Sequence, residues 1–351
     1  MKQKNLVLVQ GLRFFGFLFI FINHSWGIVL SNKLFDFGAR GVEIFFLLSG
    51  FLMAYNYRDA AFAYGLSSSI KYVLEKLKKF YGLHILFFLI MLIKVIGHLC
   101  KHGMDYRDGW YGFLGDALLN ITLLQSWYDP AKFSFNGVAW FLSDIVFIYL
   151  CVPFIIHFFK NRGGTRWFLF LVLLKASCDW YHYHTGFNPA PGIFSYYANP
   201  AYRLQDFLIG YTGYLMCRNW KLELENLSVS LLQVGILSVY LICCRVFDKI
   251  WEPIPYILLA FLLIYVCTLP HGIFDYIFGN RILVHLGNIS FELYIVHQVL
   301  ITLFTHPISK VLGHHGWLTL VVLLFLSIGV AEFFHWKPIK NFFARTIYGG
   351  S

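Results

Sequence analysis

The stretch LVLVQGLRFFGFLFIFINHSWGIVL, residues Leu6–Leu30, decides the fold. A run of roughly 20 predominantly apolar residues is what a helix needs to cross about 30 Å of hydrocarbon. The bilayer core holds no water to bond the backbone, so such a run has to be a helix. Blocks of the same kind recur along the 351 residues. Expected spans lie near Leu6–Leu30, Phe37–Tyr57, Phe80–Leu99, Val138–Phe159, Trp167–Tyr183, Arg203–Met216, Leu227–Val246, Ile254–Leu269, Leu283–Phe304 and Trp317–His335. The chain therefore reads as all-α: a polytopic transmembrane helical bundle of about ten transmembrane helices, forming a single domain over residues 1–351.

Composition agrees. Only 13% of the side chains are charged and 58% are hydrophobic, where a soluble domain carries about a quarter charged residues to face water. Aromatics reach 20%, enough to form belts at both membrane surfaces. The first block is too long for the apolar core of a signal peptide and is interrupted by Arg13, so it is expected to remain as a span. The seven cysteines show no C-x-x-C spacing and read as apolar core thiols. Cys100 and Cys178, near outer helix ends, are the one pair weighed for a disulfide.

Orientation follows from Lys and Arg in the loops. With the N-terminus inside, the inner segments carry twice as many of these residues as the outer ones, Lys71, Lys76, Lys78 and Lys79 among them. Both termini are then cytoplasmic. The net charge of +10 is explained by inner loops lying against anionic lipid headgroups, with no need for nucleic acid. The longest segment outside the spans is Cys100–Gly137, on the outer side, and it contains Trp110, Tyr111, Trp127 and Tyr128.

Charges inside spans are costly and mark candidate functional sites. Arg13 lies about two turns into the first span, and His24 follows eleven residues later. Eleven residues come within about 20° of whole turns, so both side chains face the same way, roughly 16 Å apart along the axis. The bland reading is a structural arginine and an interfacial histidine. The second span opens Gly41-Val42-Glu43 and runs on to Ser49-Gly50-Phe51. Glu43 is expected at a depth comparable to His24, where a carboxylate beside an imidazole would raise its basicity. Ser49 reads either as a nucleophile or, with Gly50, as a small-residue helix contact.

Taken in order, these residues resemble acyltransferase family 3, the bacterial membrane O-acyltransferases. The likeness starts with Arg13 and His24 at an Arg-x10-His spacing, then GVEIFFLLSGF at Gly41–Phe51. It continues through Lys76 and the stretch Lys79-Phe80-Tyr81, Trp140-Phe141-Leu142-Ser143, Arg203 ahead of Phe207–Gly210, LGNISFELYIVH at Leu286–His297, and Lys337-Pro338. There are departures. Lysines stand where the family has arginines before the third span, and Gly82 stands where it has proline. Lysine keeps the charge and loses the bidentate fork.

The resemblance implies transfer of an acyl group, commonly acetyl, from cytoplasmic acyl-CoA to a hydroxyl of a surface glycan or lipid-linked sugar. The setting it implies is the cytoplasmic membrane of a bacterium. His24 would act as general base or acyl relay with Glu43 supporting it. Arg13, Lys76 and Lys79 would bind the polyanionic donor, and Trp140, Ser143, Arg203 and His297 would line the substrate path. For the lysines the alternative is simple positive-inside charge; for the outer aromatics, an interfacial belt; for His297, a buried helix contact. No metal is expected, since His182 and His184 share one segment without acidic partners. The rival from another class is a transporter or flippase for a lipid-linked sugar, which would favour internal symmetry of broken helices.

Overall fold

The computed structural model describes residues 7–25, 38–57, 64–190, 192–220, 224–246 and 254–348. Those residues form helices and connecting turns, with no strand among them. In chain order the helices are α1 (Val7–His24), α2 (Gly38–Tyr57), α3 (Leu66–Leu77), α4 (Tyr81–His102), α5 (Gly109–Ile121), α6 (Trp140–Phe159), α7 (Gly164–Thr185), α8 (Pro200–Cys217), α9 (Asn226–Val246), α10 (Ile254–Val266), α11 (Phe274–Ile277), α12 (Arg281–Asn288), α13 (Ser290–Val311), α14 (Gly316–His335) and α15 (Lys337–Tyr348). The described residues of each of the ten expected spans are largely helical; Leu6 and residues 26–30 of the first, and Phe37 of the second, lie outside the described residues.

Six helices among the described residues are long and apolar enough to cross a membrane: α1, α2, α4, α6 with its lead-in from Gly137, α9 and α14. A seventh is obtained if α12 and α13 count as one broken span. The expected ninth span, Leu283–Phe304, is thus interrupted at Ile289, and Ser290 opens a new helix. The other expected spans fall short for reasons legible in their residues. α7 carries Lys175, Asp179, His182 and His184, and α8 carries Arg203 and Asp206. α10 is strongly apolar but only 13 residues long.

The chain divides into two compact units. The first comprises Met1–Ala61, Ile156–Phe187 and Leu204–Ser290, and the second Phe62–Ile155, Asn188–Arg203 and Phe291–Ser351. Within the first unit, glycine sets how closely helices approach. A β-carbon on Gly41 of α2 would collide with the Gly16 carbonyl oxygen of α1. Gly50 of α2 lies against the Phe207 carbonyl of α8, and Gly210 of α8 lies reciprocally against the Leu47 carbonyl of α2. Lipid tails are as apolar as leucine, so helices in a bilayer gain association from such close packing rather than from leaving the solvent. This decides between the two readings of Ser49-Gly50. Gly50 makes the contact, and the Ser49 hydroxyl donates to the Phe45 carbonyl of its own helix at 2.7 Å.

In the second unit, the segment expected as an outer loop is tied down. α5 turns Asp116 inward, where it accepts hydrogen bonds from Tyr106 Oη at 2.9 Å and Arg107 Nη2 at 2.7 Å. Asn120 Nδ2 donates to Ser134 Oγ at 2.7 Å, and its carbonyl oxygen lies 2.9 Å from His84 Nε2. Asn136 Nδ2 donates to the Ile295 carbonyl at 3.1 Å, fixing the approach to α6 against α13. Each of these bonds counts, because an unmet buried polar group costs about 1–3 kcal/mol.

Candidate active site

α1 presents the first candidates. Arg13 is half-buried, and its Nη1 donates to Gln10 Oε1, one turn earlier, at 3.3 Å. His24, also half-buried, is the last residue of the helix. The two therefore sit on one stripe of a continuous helix, as their spacing predicts.

Glu43 departs from expectation. A β-carbon on Gly38 would meet the Asn23 side chain, and one on Gly41 would meet Gly16 and Ile20. This antiparallel register places His24 near the level of Gly38, and Glu43 five residues further along α2. Glu43 is thus roughly 7–8 Å deeper than His24, rather than level with it. Its partner is one the sequence did not suggest: Arg40 Nη1 lies 2.7 Å from Glu43 Oε1, with both side chains buried. The Arg40 guanidinium stands 3.8 Å from the centroid of the Tyr256 ring of α10, where the ring face attracts it further. Glu43 Oε2 is buried and has no hydrogen-bond partner among the described residues.

A second charged group lies in the same unit. Lys175 Nζ lies 3.3 Å from Asp179 Oδ2 and 3.2 Å from Asp206 Oδ1, all three side chains being almost wholly buried. α7 and α8 thus contribute to one buried polar cluster. A signal was present: Lys175 and Asp179 stand at ion-pair spacing within an apolar run. Arg40 lies inside the expected second span, Phe37–Tyr57, one turn before Glu43.

The second unit holds the remaining candidates. Trp140 and Ser143 are buried at the start of α6, and Ser126 Oγ donates to Ser143 Oγ at 2.7 Å. Arg203 Nε donates to the Tyr197 carbonyl at 2.6 Å. Its guanidinium lies 4.7 Å from the Tyr197 ring centroid and 5.8 Å from that of Trp140. Trp140 and Arg203 are thus brought together by Tyr197, a residue the motifs did not include. His297 is fully buried on α13, its Nδ1 3.1 Å from the Leu293 carbonyl of its own helix. The basic cluster is split: Lys76 turns inward over the Tyr72 and Tyr149 rings, at 4.8 and 6.0 Å, whereas Lys79 is exposed. Outside these groups, the rings of His182 and His184 each bond a backbone carbonyl.

The profile of acyltransferase family 3, described as an acyltransferase domain, matches residues 8–336. Acyltransferase MdmB of Streptomyces mycarofaciens is 33% identical over 118 residues, a match covering 33% of this chain and 28% of that protein. No solved structure matches. The profile runs from the start of α1 to the end of α14 and takes in every candidate residue named above, and the chain accordingly belongs to acyltransferase family 3.

Proposed function

We propose that the chain is an O-acyltransferase of the bacterial cytoplasmic membrane. It takes an acyl group, acetyl in the first instance, from acyl-CoA at the cytoplasmic face and transfers it to a hydroxyl of a surface glycan or lipid-linked sugar. The observation that carries this reading is the Arg13–His24 stripe on α1 within a chain of this family. A fixed cation suits the anionic donor, and an imidazole suits proton removal from a hydroxyl near neutral pH. In the direct route, His24 takes the acceptor's hydroxyl proton while its oxygen attacks the thioester carbonyl. The C–S bond breaks, and CoA leaves as a thiolate that gains a proton. In the relay route, a His24 imidazole nitrogen attacks the thioester carbonyl, the C–S bond breaks and CoA leaves as a thiolate that takes up the proton; the acceptor hydroxyl then attacks the acyl carbon, the acyl–N bond breaks and the imidazole is restored.

Glu43 supports either route in a modified role. Clamped through Oε1 by Arg40, it offers Oε2 as a fixed acceptor deeper on the neighbouring helix. Arg13, Lys76 and Lys79 are each assigned to the anionic donor, Lys79 with the smaller share, and Trp140, Ser143, Arg203 and His297 are assigned to the substrate path. The test is mass spectrometry of surface glycans from cells with and without the gene, joined to transfer assays on membranes supplied with labelled acyl-CoA. His24→Ala is expected to abolish transfer and Glu43→Gln to reduce it at least tenfold, about 1.4 kcal/mol of barrier. Transfer by His24→Ala equal to wild type, at matched membrane levels, would overturn both routes. An acyl group trapped on His24 without acceptor would select the relay.

A further inference from the structure

The basic segment before α4 is a helix, and its faces are sorted. Val73 and Ser69 of α3 are buried, and Lys76 turns inward with them. Leu66, Ile70 and Leu74 are 65%, 46% and 47% exposed. They stand four residues apart, so they advance by about 40° at each step and form one stripe about 80° wide. Lys78 follows about 40° beyond Leu74 on the helical wheel, with Lys71 about 20° further round. Both lysines are exposed.

Length fixes where this helix lies. α4 has 22 residues and is about 33 Å long, enough to cross the hydrocarbon. α3 has 12 residues, or about 18 Å, too short to cross. Only Lys78, Lys79 and Phe80 separate the two helices, so α3 is held at the membrane surface where α4 begins. A helix at that level with an exposed leucine-isoleucine stripe, bordered by lysines, has the pattern of one lying in the interface plane.

We propose that α3 is an interfacial helix that buries Leu66, Ile70 and Leu74 among the lipid chains of the adjoining leaflet and binds anionic phospholipid headgroups through Lys71 and Lys78. The charge on this edge is complementary to phosphate. Glu75 is the one acid on the helix, and Lys78 Nζ donates to its Oε1 at 2.8 Å. That hydrogen bond, with the charges of Lys78, Lys71 and Lys79, holds the Glu75 carboxyl below the usual carboxylate range. Lysines therefore outnumber acid on the edge. The basic cluster is divided by direction: Lys76 faces protein aromatics, while Lys71 and Lys78 face the lipid surface. Interfacial lysines leave water cheaply, because the alkyl stem lies along the apolar boundary while the ammonium stays among phosphates.

The experiment uses the purified full chain in nanodiscs of equal phosphatidylcholine and phosphatidylglycerol. Native mass spectrometry should show phosphatidylglycerol retained in preference, by roughly fivefold for each engaged lysine. Lys71→Gln with Lys78→Gln should bring retention to parity. A benzophenone amino acid placed at Ile70 should photocrosslink to lipid chains, and the same group at Glu75 should not. Equal retention of both lipids by wild type would overturn the proposal, as would a preference that persists in the double variant. So would an adduct from position 70 to another protein, or displacement of phosphatidylglycerol by excess CoA, which would return the edge to the donor site. None of these readouts depends on acyl transfer, so the result stands apart from the proposed reaction.

Discussion

Replacing Arg40 by alanine leaves the Glu43 carboxylate buried without its ion partner. Breaking one side of such a pair costs about 3–5 kcal/mol, whereas removing both charges together costs far less. Arg40→Ala is therefore expected to lower the thermal midpoint of the detergent-solubilised protein, and Arg40→Ala/Glu43→Gln to recover most of the loss. No recovery in the double variant would show that Arg40 acts through Tyr256 instead. The lysines make a second prediction at this scale. Lys76 is packed over Tyr72 and Tyr149, so Lys76→Gln should raise the KM for acyl-CoA roughly tenfold, about 1.4 kcal/mol. Lys79→Gln, at an exposed position, should change it little; the reverse order would place the donor on the exposed face. At Arg13 the half-buried guanidinium cannot be replaced by a neighbour on its stripe. Arg13→Ala should cut transfer at limiting acyl-CoA while the protein still inserts, and normal transfer would remove the residue from the donor site.

At the scale of the helix, the crossing of α2 and α8 is the most demanding joint. Two glycines, Gly50 and Gly210, each face a backbone carbonyl of the partner helix. A carbonyl belonging to a helix ladder cannot swing aside as a side chain would. Gly50→Ala must therefore separate the helices, and it should lower the thermal midpoint as a 1–3 kcal/mol overpacking does. Gly97→Ala offers the control, since nothing lies near the added carbon there. If the two variants melt alike, the close approach of α2 and α8 is not what holds them. This crossing also fixes α2 around Glu43, so a packing contact in one half of the helix steadies the charged pair in the other.

At the scale of the molecule, the distribution of Lys and Arg predicts cytoplasmic reporters at Ser68 and at the C-terminus and an external reporter near Asp129. One reversed reporter would mean an odd change in the number of crossings between the sites. Among the described residues six helices meet the length and apolarity needed to cross unaided, seven with the broken pair, so α7, α8 and α10 are the elements such reporters would test.

What the sequence determined by itself was the class of the molecule and the identity of its helices. Apolar length is a local property, and the bilayer leaves an apolar run of this kind no alternative to helix, so the described residues of the expected spans are largely helical. The Arg13–His24 stripe was legible for the same reason, since both residues share one helix and its period. The tertiary structure alone decided the partners. Glu43 was expected beside His24 from their positions in separate spans, but the register of α1 against α2 is set by Gly16 and Gly41, and Arg40 lay within reach on Glu43's own helix. The Lys175, Asp179 and Asp206 group joins α7 to α8, and Tyr197 joins Trp140 to Arg203. Which residues meet across helices depends on rotation and register, and these follow from the whole set of side-chain contacts rather than from any one segment's pattern.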